Sequence, residues 1–140
     1  MNFRELARIS LVEDEGRVPH AYQDSEGYWT IGVGRLIDKR KGGKLRNDEI
    51  DLMLANDIDD AVICARALFP NFGHLTDERK AVLVNMAFNL GMTNLTKFRK
   101  FREAVERQDW YEAAVQMLDS LWAKQVGARA NRLAEKMRKG

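Results

Sequence analysis

One short segment with β-strand character interrupts a sequence that is otherwise patterned for helices, and this limits the folds available to the chain. Residues 21–34 are rich in aromatic and β-branched side chains, and the turn formers Asp24 to Gly27 lie in their middle. Such a pattern is typical of a β-hairpin. We therefore expect a small sheet region near residues 17–45, with an exposed basic loop at 39–44, and helices elsewhere.

Apolar residues at helical spacing precede and follow this segment. Residues 3–14 predict a first helix, which Gly16 should stop. An apolar stripe from Ile50 to Phe69 predicts a long helix closed by Pro70. Further helices are expected from Thr76, as N-cap, to Gly91, from Asp109, and over 128–138. Together these patterns predict an α+β fold that is mainly α.

Composition excludes several classes of protein. A chain of 140 residues is long enough for one domain without a metal or disulfide staple. Hydrophobic residues make up 45% and charged residues 31%, which argues against disorder and fibrous repeats. No apolar run has the length of a membrane helix, and no secretory signal is visible. The single cysteine, Cys64, excludes an internal disulfide and is expected to be a core residue.

The two halves of the chain differ in charge. Residues 1–70 hold 10 basic and 13 acidic side chains, whereas residues 71–140 hold 13 and 8. A basic half could meet nucleic acid, an anionic membrane or a wall polymer, or could simply be a solvated helical surface. No nucleic-acid-binding motif supports a nucleic-acid partner. His20 and His74 are isolated from each other and from the cysteine, so we expect neither a metal site nor a cofactor.

Acidic residues crowd the predicted end of the first helix, at 13–15. The negative end of a helix dipole disfavours ionised carboxylates, which suits a proton donor. The plainer interpretation is a set of surface acids. In the hairpin, a turn at residues 25–27 would place Asp24 and Thr30 on one face as diagonal neighbours across the two strands, with roughly 7–8 Å between their backbone positions. That spacing suits one water between a carboxylate and a hydroxyl, although Asp24 is also a common turn former.

An acid at a helix end and a carboxylate–hydroxyl pair on a nearby hairpin are the parts of a glycosidase. At these residues the sequence resembles the phage lysozymes of the T-even type, glycoside hydrolase family 24. The resemblance is carried by Glu15 and residues 22–34. Eight residues separate Glu15 from Asp24, and five separate Asp24 from Thr30, which matches the spacing of the family's catalytic residues. The segments 83–91, 110–115 and 129–132 extend it over nearly the whole chain.

The resemblance implies a lysozyme-like, two-lobed fold with the cleft between a small β-hairpin lobe and a larger helical lobe. Residues 1–140 would form a single lysozyme-like domain. Approximately residues 13–60 would be the small lobe and linking helix, and residues 1–12 and 61–140 the helical lobe. We expect a monomer.

The resemblance also implies hydrolysis of the β-1,4 bond between N-acetylmuramic acid and N-acetylglucosamine in peptidoglycan, with inversion. Glu15 would be the general acid, and Asp24 and Thr30 would hold the attacking water. Arg129 would support Glu15. The implied substrate-binding residues are Glu26, Leu36, Phe88 and Gln116.

Three departures from the family pattern concern these positions. Arg35 replaces a histidine, which puts that histidine's ion pair in question. Phe101 replaces a small polar cleft residue, which would alter sugar contacts, and Gln116 replaces an asparagine.

The implied role is that of an endolysin with bacterial peptidoglycan as its partner. It would wait in the cytoplasm of an infected bacterium until a holin opens the membrane, without stable membrane insertion. Two alternatives stay open. One is a lytic transglycosylase on the same substrate, which needs no water holder. The other is a catalytically silent protein that binds walls or nucleic acid.

Overall fold

The computed structural model describes residues 1–38 and 44–140. It forms two compact units, Met1–Asp51 and Leu52–Gly140, and the division falls within one helix. Most of the basic loop expected at 39–44 lies outside the described residues. The described elements are seven helices, one 3-10 turn and three strands, so the fold is α+β and mainly helical.

The N-terminal unit begins with helix α1, Phe3–Glu15. The helix starts at Asn2, whose side chain accepts a hydrogen bond from the Glu5 backbone N–H at 2.9 Å. It ends at Gly16, where φ is +76° and the backbone N–H donates to the Val12 carbonyl. The predicted helix and its glycine stop are confirmed. Since a positive φ favours glycine, Gly16 turns the chain directly from α1 into the sheet.

Three antiparallel strands follow: β1 Val18–Gln23, β2 Trp29–Gly32 and β3 Arg35–Asp38. Tyr22 pairs with Thr30, and the Asp24 N–H donates to the Tyr28 carbonyl at 2.8 Å, so the predicted hairpin is confirmed. Gly27 closes the turn with φ at +85°. Strand β3 was not predicted, because a four-residue strand after a glycine-rich turn has too little alternation to be recognised.

The C-terminal unit is helical. Its elements are α2 Asn47–Leu68, a 3-10 turn Phe72–His74, α3 Asp77–Thr96, α4 Arg99–Glu106, α5 Trp110–Leu118, α6 Leu121–Val126 and α7 Ala128–Lys139. The first turn of α2 belongs to the N-terminal unit. The predicted caps at Thr76 and Asp109 are confirmed, since each side chain accepts a backbone hydrogen bond. Gly91, which was predicted to stop this helix, has φ at +77° and breaks the helical backbone within α3. Helices α4 and α6 were not separately predicted.

A core in this unit is built from α2 to α7. Its largest fully buried side chains are Phe69, Phe101, Leu83, Met86, Leu95, Met117 and Met137. Cys64 is partly buried and packs against this core, with its Sγ 3.5 Å from Met92 Sδ. None of the helices in the described ranges has the length and hydropathy of a membrane-spanning segment.

Candidate active site

Five of the predicted site residues line one cleft of about 420 Å³ in the N-terminal unit. They come from the end of α1, the hairpin and strand β3: Glu15, Asp24, Glu26, Thr30 and Leu36. Tyr22, Tyr28 and Gly34 complete the lining. The hairpin register accounts for part of this arrangement, because Tyr22 and Thr30 are paired across the strands and residues two apart along a strand share a face.

Asp24 has a structural role in the turn. Its Oδ1 accepts hydrogen bonds from the backbone N–H groups of Glu26 and Tyr28, both at 2.9 Å. Such side-chain to backbone bonds are what make aspartate a common turn former. Both bonds end on the same oxygen, so the turn leaves Oδ2 available to a solvent molecule or a substrate.

Thr30 is 4% exposed and lies on β2 opposite Tyr22. Its hydroxyl donates to the Tyr28 carbonyl at 3.1 Å. A hydroxyl has one proton and two lone pairs. Because the proton is engaged, Thr30 Oγ1 meets any further partner as an acceptor.

Glu15 is the last residue of α1 and is exposed. Its carboxyl group lies against the backbone of Gly34, where φ is +63°. Within the described part of the N-terminal unit, no side chain forms an ion pair with this carboxylate. The helix end therefore delivers a carboxyl group to the cleft with its oxygens unengaged by that unit.

Arg35 forms a two-pronged ion pair with Glu49, which answers the question raised by its replacement of a histidine. Arg35 Nη2 donates to Glu49 Oε1 at 2.8 Å, and Nη1 donates to Oε2. The same carboxylate accepts the Arg46 backbone N–H at 2.9 Å. The hydrogen bond from Arg35 and then that from Arg46 lower the pKa of Glu49 from 4.5 to about 2. This pair ties β3, next to Leu36, to the first turn of α2.

The other predicted site residues belong to the C-terminal unit. Phe88 and Arg129 line a cavity of about 640 Å³ beside α2 and α3. Arg129 donates from Nε and Nη2 to Asn85 Oδ1, at 3.0 and 2.7 Å. Gln116 lines a different cavity and donates to Glu112 Oε1 at 2.7 Å. Their assignment to substrate binding and to support of Glu15 stays a prediction.

Phe101 is a core residue. It is 1% exposed, and its ring meets those of Phe69 and Phe98 edge-on, with centroids 5.9 and 6.4 Å apart. Burial leaves its ring almost no surface for a sugar. The aromatic ring therefore serves core packing. Phe101 also lines the same cavity as Gln116, and the expected change in sugar contacts stays a prediction.

Tyr22, Tyr28 and Gly34 line the cleft but were not among the predicted site residues. The run Gly32-Val33-Gly34 signals a tight turn, but only coordinates show which side chain approaches which glycine. Among the described residues, no group of three His, Cys, Asp or Glu side chains is arranged to hold a metal ion.

The chain is similar to known proteins along most of its length. The family model for phage lysozyme matches residues 12–139. Two relatives from Dictyostelium discoideum, probable T4-type lysozymes 2 and 1, are 29% and 30% identical to the chain over alignments 149 positions long. Each alignment covers 88% of this chain and 88% of the relative.

A third relative is the pre-baseplate central spike protein Gp5 of Enterobacteria phage T4. It is 28% identical over an alignment 158 positions long, which covers 95% of this chain and 27% of that longer protein. Because the family model covers most of the chain and two relatives named as lysozymes align along most of their length, the chain belongs to the phage lysozyme family, which supports a lysozyme, or muramidase, function.

Proposed function

We propose that this protein hydrolyses the β-1,4 bond between N-acetylmuramic acid and N-acetylglucosamine in bacterial peptidoglycan. Glu15 is the general acid, Asp24 is the general base, and Thr30 helps to hold the attacking water. The observation that carries the proposal is the shared cleft. The family's three catalytic positions line one cavity, although they come from the end of α1 and from both sides of a hairpin turn.

The hydrogen bonds around the cleft support a water-holding role. Asp24 uses Oδ1 for the turn, and Thr30 uses its proton for the Tyr28 carbonyl. Asp24 Oδ2 and Thr30 Oγ1 are then both acceptors. A water that donates one hydrogen to each has a lone pair left to attack the anomeric carbon.

The reaction balances over these groups. The protonated Glu15 carboxyl gives its proton to the glycosidic oxygen as the bond to the anomeric carbon breaks. The water adds to that carbon from the opposite face, and Asp24 takes the proton that it loses. Attack from the opposite face inverts the anomeric configuration. Glu15 ends ionised and Asp24 protonated, so proton exchange with solvent resets the site.

Glu26 and Leu36 are proposed to contact the substrate because they line the same cleft. Phe88 and Gln116 are proposed as further sugar contacts, and Arg129 as the support for Glu15, on the family resemblance. The proposed setting is that of an endolysin, a monomer that waits in the cytoplasm of the infected bacterium. It would reach the peptidoglycan after a holin has opened the membrane.

The proposal is tested with purified cell walls and the Glu15→Gln variant. We expect the parent protein to release reducing ends, and NMR to show that the configuration at the new anomeric centre is inverted. The variant should fold but release almost no reducing ends. Glu13→Gln is the matched control, because Glu13 lies at the same helix end but does not line the cleft. Anhydro sugar ends in the mass spectrum would establish a lytic transglycosylase instead. Wall binding without any cleavage by the parent would indicate a catalytically silent protein.

A further inference from the structure

In the cleft, the Glu15 carboxyl lies beside Gly34, a glycine on the turn between β2 and β3. A Cβ atom built on Gly34 would lie 2.7 Å from Glu15 Oε2, 2.8 Å from Cδ and 3.0 Å from Cγ. Separations under 3.0 Å are shorter than van der Waals contact allows. Any side chain at position 34 would therefore occupy space that the carboxyl group now uses.

The backbone makes a second demand at the same position. Gly34 has φ at +63°, a conformation that favours glycine. Gly32, two residues earlier, has φ at +67°, but a Cβ built there meets nothing within 4 Å. The two glycines share the backbone requirement, and only Gly34 lies against the acid.

The group that would yield to a Cβ at position 34 is the carboxyl itself. The three atoms in conflict all belong to the Glu15 side chain, and none belongs to backbone. A side chain at the end of a helix can rotate to another rotamer at little cost in folding. The expected consequence of filling this space is a folded protein whose acid points elsewhere.

We propose that Gly34 is a positioning residue for the general acid: the turn after β2 presents a surface without a side chain, against which the Glu15 carboxyl lies in the cleft. This inference rests on the proposed function, in which Glu15 protonates the leaving oxygen. The inference adds that the position of the Glu15 carboxyl depends on the absence of a Cβ atom at residue 34. Misplacement of a catalytic group by about 1 Å can cost about 100-fold in rate.

The test compares Gly34→Ala with Gly32→Ala. Both variants put an alanine at a left-handed position, so both carry similar backbone strain. We expect kcat on a soluble glycan to fall by about 100-fold in Gly34→Ala, with KM nearly unchanged. Gly32→Ala should keep most of the parent kcat. Circular dichroism and thermal unfolding should show similar losses of stability in the two variants.

A second pair of variants guards against failure to fold. Asparagine tolerates a positive φ better than alanine but still carries a Cβ. Gly34→Asn should therefore fold and lose kcat as Gly34→Ala does, whereas Gly32→Asn should stay active. If both Gly34 variants unfold while both Gly32 variants fold, Gly34 is a folding requirement and the proposal is overturned.

Substrate exclusion is tested separately, since Gly34 also lines the cleft. Binding to insoluble cell wall is compared for Glu15→Gln and for Glu15→Gln combined with Gly34→Ala. Equal binding supports displacement of the acid. Clearly weaker binding by the double variant would mean that the added methyl group blocks the glycan, which overturns the positioning role.

The outcomes also separate this inference from the function on which it rests. If the parent releases no reducing ends from walls, the proposed function fails and the positioning role fails with it. If the parent is active and Glu15→Gln is inactive, but Gly34→Ala keeps the kcat of Gly32→Ala, only the positioning role is overturned.

Discussion

Asp24 uses only one of its two carboxylate oxygens in the hairpin turn. Oδ1 accepts hydrogen bonds from the backbone N–H groups of Glu26 and Tyr28, which leaves Oδ2 for the proposed catalytic role. The turn-forming and catalytic interpretations of this residue are therefore compatible. A test of the catalytic task must keep the turn intact, which rules out alanine as the replacement.

Asp24→Asn meets this requirement, because the amide oxygen can still accept both backbone hydrogen bonds. We expect the variant to fold with nearly the parent melting temperature and to lose roughly 10²–10⁴-fold in kcat, the usual range for a general base. Turnover on soluble glycan and thermal unfolding check this. A change confined to KM would remove the base role from Asp24.

The hydroxyl of Thr30 is tested by a pair of similar replacements. Thr30→Val keeps the shape of this buried side chain but removes the acceptor, and Thr30→Ser keeps the hydroxyl. We expect kcat to fall roughly tenfold or more in Thr30→Val, the scale of one lost hydrogen bond, and much less in Thr30→Ser. Equal kcat values for the two variants would contradict a water-holding role for the hydroxyl.

Strand β3 and helix α2 are joined by the ion pair of Arg35 and Glu49. Arginine binds a carboxylate with two parallel N–H bonds, a geometry that histidine cannot offer. The family resemblance pointed to the altered residue, but its partner lies 14 positions away in the sequence. Only the fold identifies Glu49 as that partner.

This ion pair makes a prediction about acid stability. The pKa of Glu49 in the folded protein is about 2, below its usual 4.5, so its ionised form is favoured by folding. The resulting stability is fully present above pH 4.5 and is lost as pH falls toward 2. Glu49→Gln should therefore unfold in less urea than the parent at pH 7, and the difference should shrink through this pH range.

Comparison of parent and variant removes the effect of the other carboxylates, which titrate in both proteins. A difference in urea midpoint that stays constant between pH 7 and pH 2 would show that the charge of Glu49 is not its source. Glu5→Gln serves as a control, because Glu5 forms an exposed ion pair within a single helix.

Helix α2 shows what periodicity does and does not predict. The apolar stripe correctly predicts a long helix that ends before Pro70. Its second half, with Ala61, Ala65 and Leu68, is buried in the core, whereas Leu54 and Ile58 remain 46% and 40% exposed. Helical spacing determines which side chains share a face, but the burial of that face depends on its neighbours.

The charge of the chain is unevenly spread, with a net charge of +5 over residues 71–140 and −3 over residues 1–70. The basic residues Lys97, Arg99 and Lys100 line one cavity together with Gln116. If this half helps the protein to bind an anionic wall, the attraction should be weakened by salt, because the screening length falls to about 3 Å at 1 M.

We therefore expect the rate of wall digestion to fall as salt rises, mainly through weaker binding to the wall. Turnover of an uncharged soluble oligosaccharide should change much less over the same range. Replacement of both Lys97 and Lys100 by Gln should reduce the salt dependence on walls. A salt effect of equal size on both substrates would assign it to the cleft chemistry and not to the basic half.

Local chemistry was enough to predict the hairpin turn, the helix caps at Thr76 and Asp109 and the stops at Gly16 and Gly91, because each depends on residues adjacent in sequence. The most specific part of the family resemblance likewise came from spacing within one short segment. Strand β3 pairs with the adjacent β2 and was missed because it is short. The partner of Arg35, the burial of Phe101 and the approach of Glu15 to Gly34 depend on contacts between residues more distant in sequence. Such contacts are decided by packing, which no local pattern encodes.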